Sequence, residues 1–212
     1  MVHLKKIIIM QELILSGGTG KDNEESLNKL FLKLVNKKPI LYIPLAREAK
    51  EYSECYDWIT SQLPNQKINM LFSFAEQKID LDNFKGIYIG GGNTFKLLKE
   101  LKESGFDKKL INFKGVVFGG SAGAIIWGKD ISNASWGEIK DKNKVKLKDL
   151  KGFNKINGYN IRAHYVEKEK SSVESYVKKT KIPIIALPED SGIYIKNGKI
   201  KAVNKVYYFD DV

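Results

Sequence analysis

The sequence predicts an α/β fold: a mostly parallel central sheet with helices on both faces, closed by a C-terminal hairpin. Two observations predict it. Over the first two thirds of the chain, short apolar runs alternate with stretches of helical spacing, the order in which parallel strands are joined by crossover helices. The apolar runs, Val116-Val117-Phe118 being the clearest, read as strands covered on both sides. The length of 212 residues and the 42% hydrophobic content suit one domain with a sizeable core, so residues 1–212 are expected to form a single α/β domain.

Each element follows from its own pattern. Glu12-Leu13-Ile14-Leu15-Ser16 is a strand running into Gly17-Gly18, and residues 5–10 are an extra edge strand or the start of the same one. Residues 23–35 set Leu27, Leu30, Phe31 and Leu34 at helical spacing. Ile40-Leu41-Tyr42-Ile43 is a strand between two prolines, and residues 50–63 are helical up to Pro64. Residues 68–74 and Gly86-Ile87-Tyr88-Ile89 are strands, the second ending in Gly90-Gly91-Gly92. Residues 94–103 form an amphipathic helix carrying Phe95, Leu97, Leu98 and Leu101, and the strand of Val116 comes next. After Trp127 the pattern weakens. Residues 128–157 are polar and lysine-rich, a loop with short elements. Residues 159–165 and 182–187 are strands, 169–179 a helix, 191–202 a hairpin turning at Asn197-Gly198, and 206–209 a last strand.

Composition excludes several classes. The net charge of +11 is almost entirely lysine, with Arg47 and Arg162 the only arginines. Lysine is poor at bidentate reading of bases or phosphates, and the basic runs lack interleaved aromatics. The charge therefore reads as a solvated surface that would help attract an acidic substrate, with no nucleic acid as partner. No apolar run approaches the length of a membrane span, and the N-terminus lacks the long apolar region of a signal peptide, so no membrane is expected. Cys55 is the only cysteine, which excludes an internal disulfide and makes cytoplasmic residence the expectation. Monomer and homodimer both remain open.

In such sheets, sites gather at the carboxyl ends of strands. Three junctions lie there: Gly17-Gly18-Thr19-Gly20, Gly90-Gly91-Gly92-Asn93-Thr94 and Gly119-Gly120-Ser121-Ala122-Gly123. The first fails the phosphate-loop pattern, which needs glycine where Leu15 stands and a hydroxyl residue in place of Asp22. The second fails the dinucleotide pattern at Phe95. No cofactor and no metal are expected. The third fits G-x-S-x-G, a serine on a tight turn between strand and helix. The turn lifts the hydroxyl clear of the sheet, and the following helix aims unpaired N–H groups and its positive end at a developing oxyanion.

A nucleophilic serine needs a base. His3 stands at the terminus, which leaves His164, at the end of the strand 159–165. An acid must orient the imidazole. Glu189 follows the strand 182–187, Asp190 is its neighbour, and spacing leaves Asp130 and Glu138 open as well. Arg162 lies two residues before His164 on the same expected strand, so the two share a face. It either contacts an acidic group of the substrate, pairs with a structural carboxylate such as Glu167, or lies in solvent.

Four segments carry a resemblance. Gly90-Gly91-Gly92-Asn93-Thr94-Phe95 resembles the glycine-asparagine-threonine signature of the peptidase E (aspartyl dipeptidase) and cyanophycinase family, and Gly120-Ser121-Ala122-Gly123-Ala124 its nucleophile turn. Ala163-His164-Tyr165 resembles its histidine segment, with alanine in place of the usual proline. Ile185-Ala186-Leu187-Pro188-Glu189 resembles its acidic segment, with Asp190 where a small residue is common. The resemblance implies a class I glutamine amidotransferase-like, flavodoxin-like fold and a serine peptidase with triad order Ser121, His164, Glu189. It implies that Gly92 and Ala122 offer N–H groups to the oxyanion and that Asn93 borders the site. The expected activity is hydrolysis of small peptides, including Asp-X dipeptides, through an acyl-enzyme. A silent binding or sensor protein on the same scaffold, or a serine esterase, is the alternative.

Overall fold

The structure is a computed structural model that describes residues 11–19, 25–74 and 79–210. The expected strand at residues 5–10, and His3, lie outside the described residues. The strands are β1 (Glu12–Ser16), β2 (Ile40–Ile43), β3 (Ile68–Met70), β4 (Gly86–Ile89), β5 (Val116–Gly120), β6 (Asn160–Arg162), β7 (Ile184–Ala186), β8 (Gly192–Lys196), β9 (Lys199–Val203) and β10 (Tyr207–Phe209). The α-helices are α1 (Glu25–Val35), α2 (Tyr52–Gln62), α3 (Thr94–Ser104), α4 (Phe106–Asn112), α5 (Ala122–Ile125) and α6 (Lys170–Thr180).

The large sheet has the order β3-β2-β4-β5-β1-β8-β9. Its first five strands are parallel, and the β8–β9 hairpin continues it antiparallel from β1. Because successive side chains point to opposite faces, each buried strand feeds two cores. Leu13 and Leu15 of β1 join Ile87, Ile89 and Val117 on the face covered by Leu97, Leu98 and Leu101 of α3. Ile14 joins Tyr42, Tyr88 and Phe118 on the other face, beneath Leu27 and Phe31 of α1 and Ile59 of α2. There Tyr88 and Phe118 stack with centroids 4.2 Å apart. Two-sided coverage explains why these strands show no polar alternation.

Four features differ from the sequence reading. The strands at 159–165, 182–187 and 206–209 form a separate three-stranded sheet, β10-β7-β6, packed on Val173 and Val177 of α6. The strand in the stretch 68–74 is confined to Ile68–Met70. A second helix, α4, follows α3 immediately, with Gly105 at φ 71° ending one and starting the other. The helix after the serine is one short turn, so its dipole is slight and the N–H groups of its first residues matter more. Among the described residues no helix is long and apolar enough to cross a membrane.

The register brings three junctions side by side. Ser16 of β1 stands opposite Gly120 of β5, and Ile89 of β4 opposite Gly119. Gly17-Gly18, Ser121 and Gly90-Gly91-Gly92 therefore leave adjacent strands at one edge. The small sheet is fastened to the same place: His164 N–H donates to the Gly17 carbonyl (2.8 Å), Gly17 N–H to Ser191 (2.9 Å) and Asp190 N–H to Gly18 (3.0 Å).

Candidate active site

Ser121 is the first residue past β5. Its φ of 50° and ψ of −109° lie in a region that a residue with a Cβ rarely enters, a strain on the order of 1–3 kcal/mol. The surroundings hold it there. Its N–H donates to the Ser16 carbonyl (3.1 Å), and its own carbonyl accepts from Ala124 N–H (2.8 Å) and Ile125 N–H (3.0 Å). The hydroxyl is thereby presented above the sheet edge.

His164 is held by a second turn. β6 stops at Arg162, and His164 takes φ 52°, so it does not share a strand face with Arg162 as its spacing suggests. Its ring lies on Gly18, whose φ of 114° favours glycine and whose place a Cβ could not share with the imidazole. Nε2 of His164 is 2.8 Å from Ser121 Oγ, and Nδ1 is 2.9 Å from Glu189 Oε1. Glu189 enters from the segment after β7 and is 45% exposed. The other acids lie elsewhere: Asp130 Oδ1 accepts from Ser132 N–H (2.7 Å), and Glu138 pairs with Lys168 (2.9 Å). Asp190 has the backbone role already given.

Ser121 and His164 open into a cleft of about 590 Å³ that also meets Gly91, Gly92 and Gly120. Gly92, at φ 142°, passes so close to the Ala46 carbonyl that a Cβ would stand 2.5 Å from the oxygen. Ala122 is buried at the start of α5, where a backbone N–H has no intrahelical acceptor. Asn93, next to Gly92, has a structural task. It caps α3, accepting from Lys96 N–H (3.0 Å), and its amide donates to the Lys142 carbonyl (2.9 Å).

Arg162 requires a correction. It is 2% exposed and forms a bidentate pair with the equally buried Glu169, with Nε and Nη2 at 2.9 and 2.7 Å from the two carboxylate oxygens. A guanidinium so enclosed has no path to a substrate. The arginine that does line the cleft is Arg47, 52% exposed and 3.3 Å from Glu51. It follows the carboxyl end of β2, and the rule that sites gather at such ends could have found it. Glu51, Glu54 and Asp141 share the cleft with it, and Tyr42, Trp58 and Tyr88 supply aromatic lining. Cys55 lies there too, but burial pushes its thiol above the ordinary value, which disfavours the nucleophilic thiolate. Among the described residues no cluster of His, Cys, Asp and Glu is arranged to hold a metal ion.

Comparison with known proteins agrees in kind. Residues 13–203 match the model of peptidase family S51. Peptidase E of Salmonella heidelberg (strain SL476) is 27% identical over 210 residues, covering 90% of this chain and 88% of the relative. Peptidase E of Salmonella typhimurium (strain LT2) is 26% identical over the same coverage. A solved structure of a peptidase E-designated protein from Listeria monocytogenes EGD-e superposes with a TM-score of 0.69 at 24% identity, covering 92% of this chain and 98% of that one. This last likeness concerns the fold.

Proposed function

The chain belongs to peptidase family S51 and is a serine peptidase, and from that premise we propose that it hydrolyses small peptides through Ser121, His164 and Glu189. One observation carries the assignment: the unbroken hydrogen-bonded line from Ser121 Oγ to His164 (2.8 Å) and from His164 to Glu189 (2.9 Å). A silent scaffold would have no need to hold a serine in a strained turn at that distance from an imidazole.

In this reading His164 Nε2 takes the hydroxyl proton as Ser121 Oγ attacks the scissile carbonyl. Glu189 accepts from Nδ1–H, which fixes the tautomer and stabilises the imidazolium. The N–H groups of Gly92 and Ala122 meet the oxyanion. Collapse expels the amine, protonated by His164, and leaves an acyl-enzyme that water hydrolyses by the same steps in reverse. Asp-X dipeptides are the finer reading. The resemblance to the aspartyl dipeptidase family and the exposed guanidinium of Arg47 support it, because a bound carboxylate needs a cationic partner. Glu51, Glu54 and Asp141 suit the peptide's α-ammonium.

A fluorophosphonate probe tests the assignment. Wild-type protein should be labelled at Ser121, and Ser121→Ala or His164→Ala protein should not. An unlabelled wild type would return the chain to a binding role. A dipeptide panel then separates Asp-X from other peptides: Arg47→Ala should weaken hydrolysis of Asp-X peptides more than of neutral ones, and equal losses would remove aspartate reading from Arg47.

A further inference from the structure

The buried pair that the catalytic assignment does not use spends its bonds on one stretch of loop. Arg162 Nη1 and Nη2 both donate to the Ile139 carbonyl at 3.2 Å, besides the two bonds to Glu169. Glu169 Oε1 also accepts from Glu138 N–H at 2.6 Å. The guanidinium lies 5.1 Å over the Trp136 ring. Gly137 runs so close, at φ 99°, that a Cβ there would overlap Arg162 Nη2. Four consecutive residues, Trp136 to Ile139, are thus seated on one ion pair.

The far end of the stretch is pinned as well. Asp141 Oδ2 accepts from Thr94 N–H at the start of α3 (2.8 Å), and Asp141 N–H donates to the Ala134 carbonyl (2.8 Å). Ile139 stands between the two anchors. Its carbonyl turns inward to Arg162, yet the residue is 51% exposed and lines the same cleft as Ser121. A buried ion pair is weak evidence for stability, because desolvation offsets much of its attraction. Its use here is geometric: a planar fork that fixes a carbonyl, a carboxylate and a ring at once.

Resting on the peptidase reading above, we propose that Arg162 and Glu169 are positioning residues that hold residues 136–139 as a wall of the cleft, and that Ile139 on this wall receives an apolar side chain of the peptide. Isoleucine presents only apolar surface to the cleft, so its contribution is selective: it favours a peptide with a large aliphatic residue over the alanine counterpart. Because Ile139 is exposed, its own truncation leaves the fold intact. The pair acts only through it.

The test is binding of dipeptides with leucine or alanine at each position in turn, measured by calorimetry on full-length Ser121→Ala protein. This readout consumes no substrate and does not require Ser121 to be a nucleophile. Ile139→Ala should weaken binding of one leucine peptide about tenfold and leave its alanine counterpart unchanged. Arg162→Met/Glu169→Met, which replaces the pair by apolar groups, should give the same selective loss. Glu169→Gln, which keeps an acceptor for Glu138 N–H, should recover part of it. Combining the pair replacement with Ile139→Ala should add nothing further, since contact and positioner act as one. Unchanged leucine selectivity in Ile139→Ala, or additive losses in the combination, would overturn the proposal. Should the pair replacement fail to fold, Ile139→Ala and Glu169→Gln decide it alone. Absence of fluorophosphonate labelling would sink the peptidase assignment without touching these binding results.

Discussion

Two carboxylates meet basic side chains, Arg162 and His164, that stand two residues apart, and their surroundings differ. Glu169 meets Arg162 with both side chains nearly sealed, at 4% and 2% exposure. Glu189 meets His164 with its own side chain 45% open. Arginine keeps its charge at any accessible pH, so a sealed Arg–Glu pair can only hold a shape. Histidine changes charge near neutrality, and a partner open to water can follow that change without an uncompensated buried charge. Burial thus separates the pair suited to fixing a wall from the pair suited to proton transfer.

The comparison breaks most readily at the open pair. Ser121→Ala and His164→Ala should each lower kcat by roughly 10⁴ to 10⁶, and the double variant should be little worse, because the two act as a unit. Additive losses would mean that they do not. Glu189→Gln should lower kcat by roughly 10² to 10⁴ with no change in the thermal midpoint. The opposite pattern, a stability loss with kcat intact, would make Glu189 structural and erase the contrast.

The sealed pair should answer in stability instead. Burial alone would raise the Glu169 carboxyl, but the bonds from Arg162 and from Glu138 N–H outweigh it and hold the group below its ordinary value of 4.5. The unfolded chain therefore takes up this proton more readily than the folded one. Stability from the pair is fully present above that value and is lost as pH falls through the folded one. Urea unfolding of wild type against Arg162→Met/Glu169→Met between about pH 6 and 3 checks it, the variant having the shallower slope. An equal slope would show that other carboxylates set the acid limit. The smallest effect belongs to Glu138, whose pair with Lys168 is exposed on both sides. Glu138→Gln should shift stability by less than about 1 kcal/mol and leave kcat unchanged.

The parts of the fold legible in the sequence were those set by local pattern: the buried strands β2, β4 and β5, the stripe of α3, and the hairpin at Asn197-Gly198. What was not legible depended on backbone that local pattern does not encode. The strand expected through residue 165 ends early because the backbone turns left-handed at His164, and nothing in Ala163-His164-Tyr165 marks such a turn. α4 was not legible because it follows directly across Gly105, a single residue that ends α3 and starts α4. At the candidate site, Ser121 was legible from its flanking glycines and His164 from the scarcity of histidine. The role of Arg162 was not. Its partner lies seven residues on, at the end of a one-turn 3₁₀ helix, Glu167–Glu169, whereas the sequence offers the nearer Glu167 as a structural carboxylate.

The position of β1 bears on how the molecule assembles. It sits in the sheet between β5 and β8, and Tyr194 of β8 hydrogen-bonds Glu12 of β1 across 182 residues of chain. Neither edge of this strand can be satisfied by its neighbours in sequence. Loop closure over such spans is slow compared with local helix formation. Gly17-Gly18, at the end of that strand, is also where His164 and the segment around Glu189 are fastened. The hydrogen-bonded line from Ser121 through His164 to Glu189 therefore depends on contacts between parts of the chain far apart in sequence. On the function proposed above, a chain still being synthesised carries Ser121 before it carries Glu189, the residue that would orient its base.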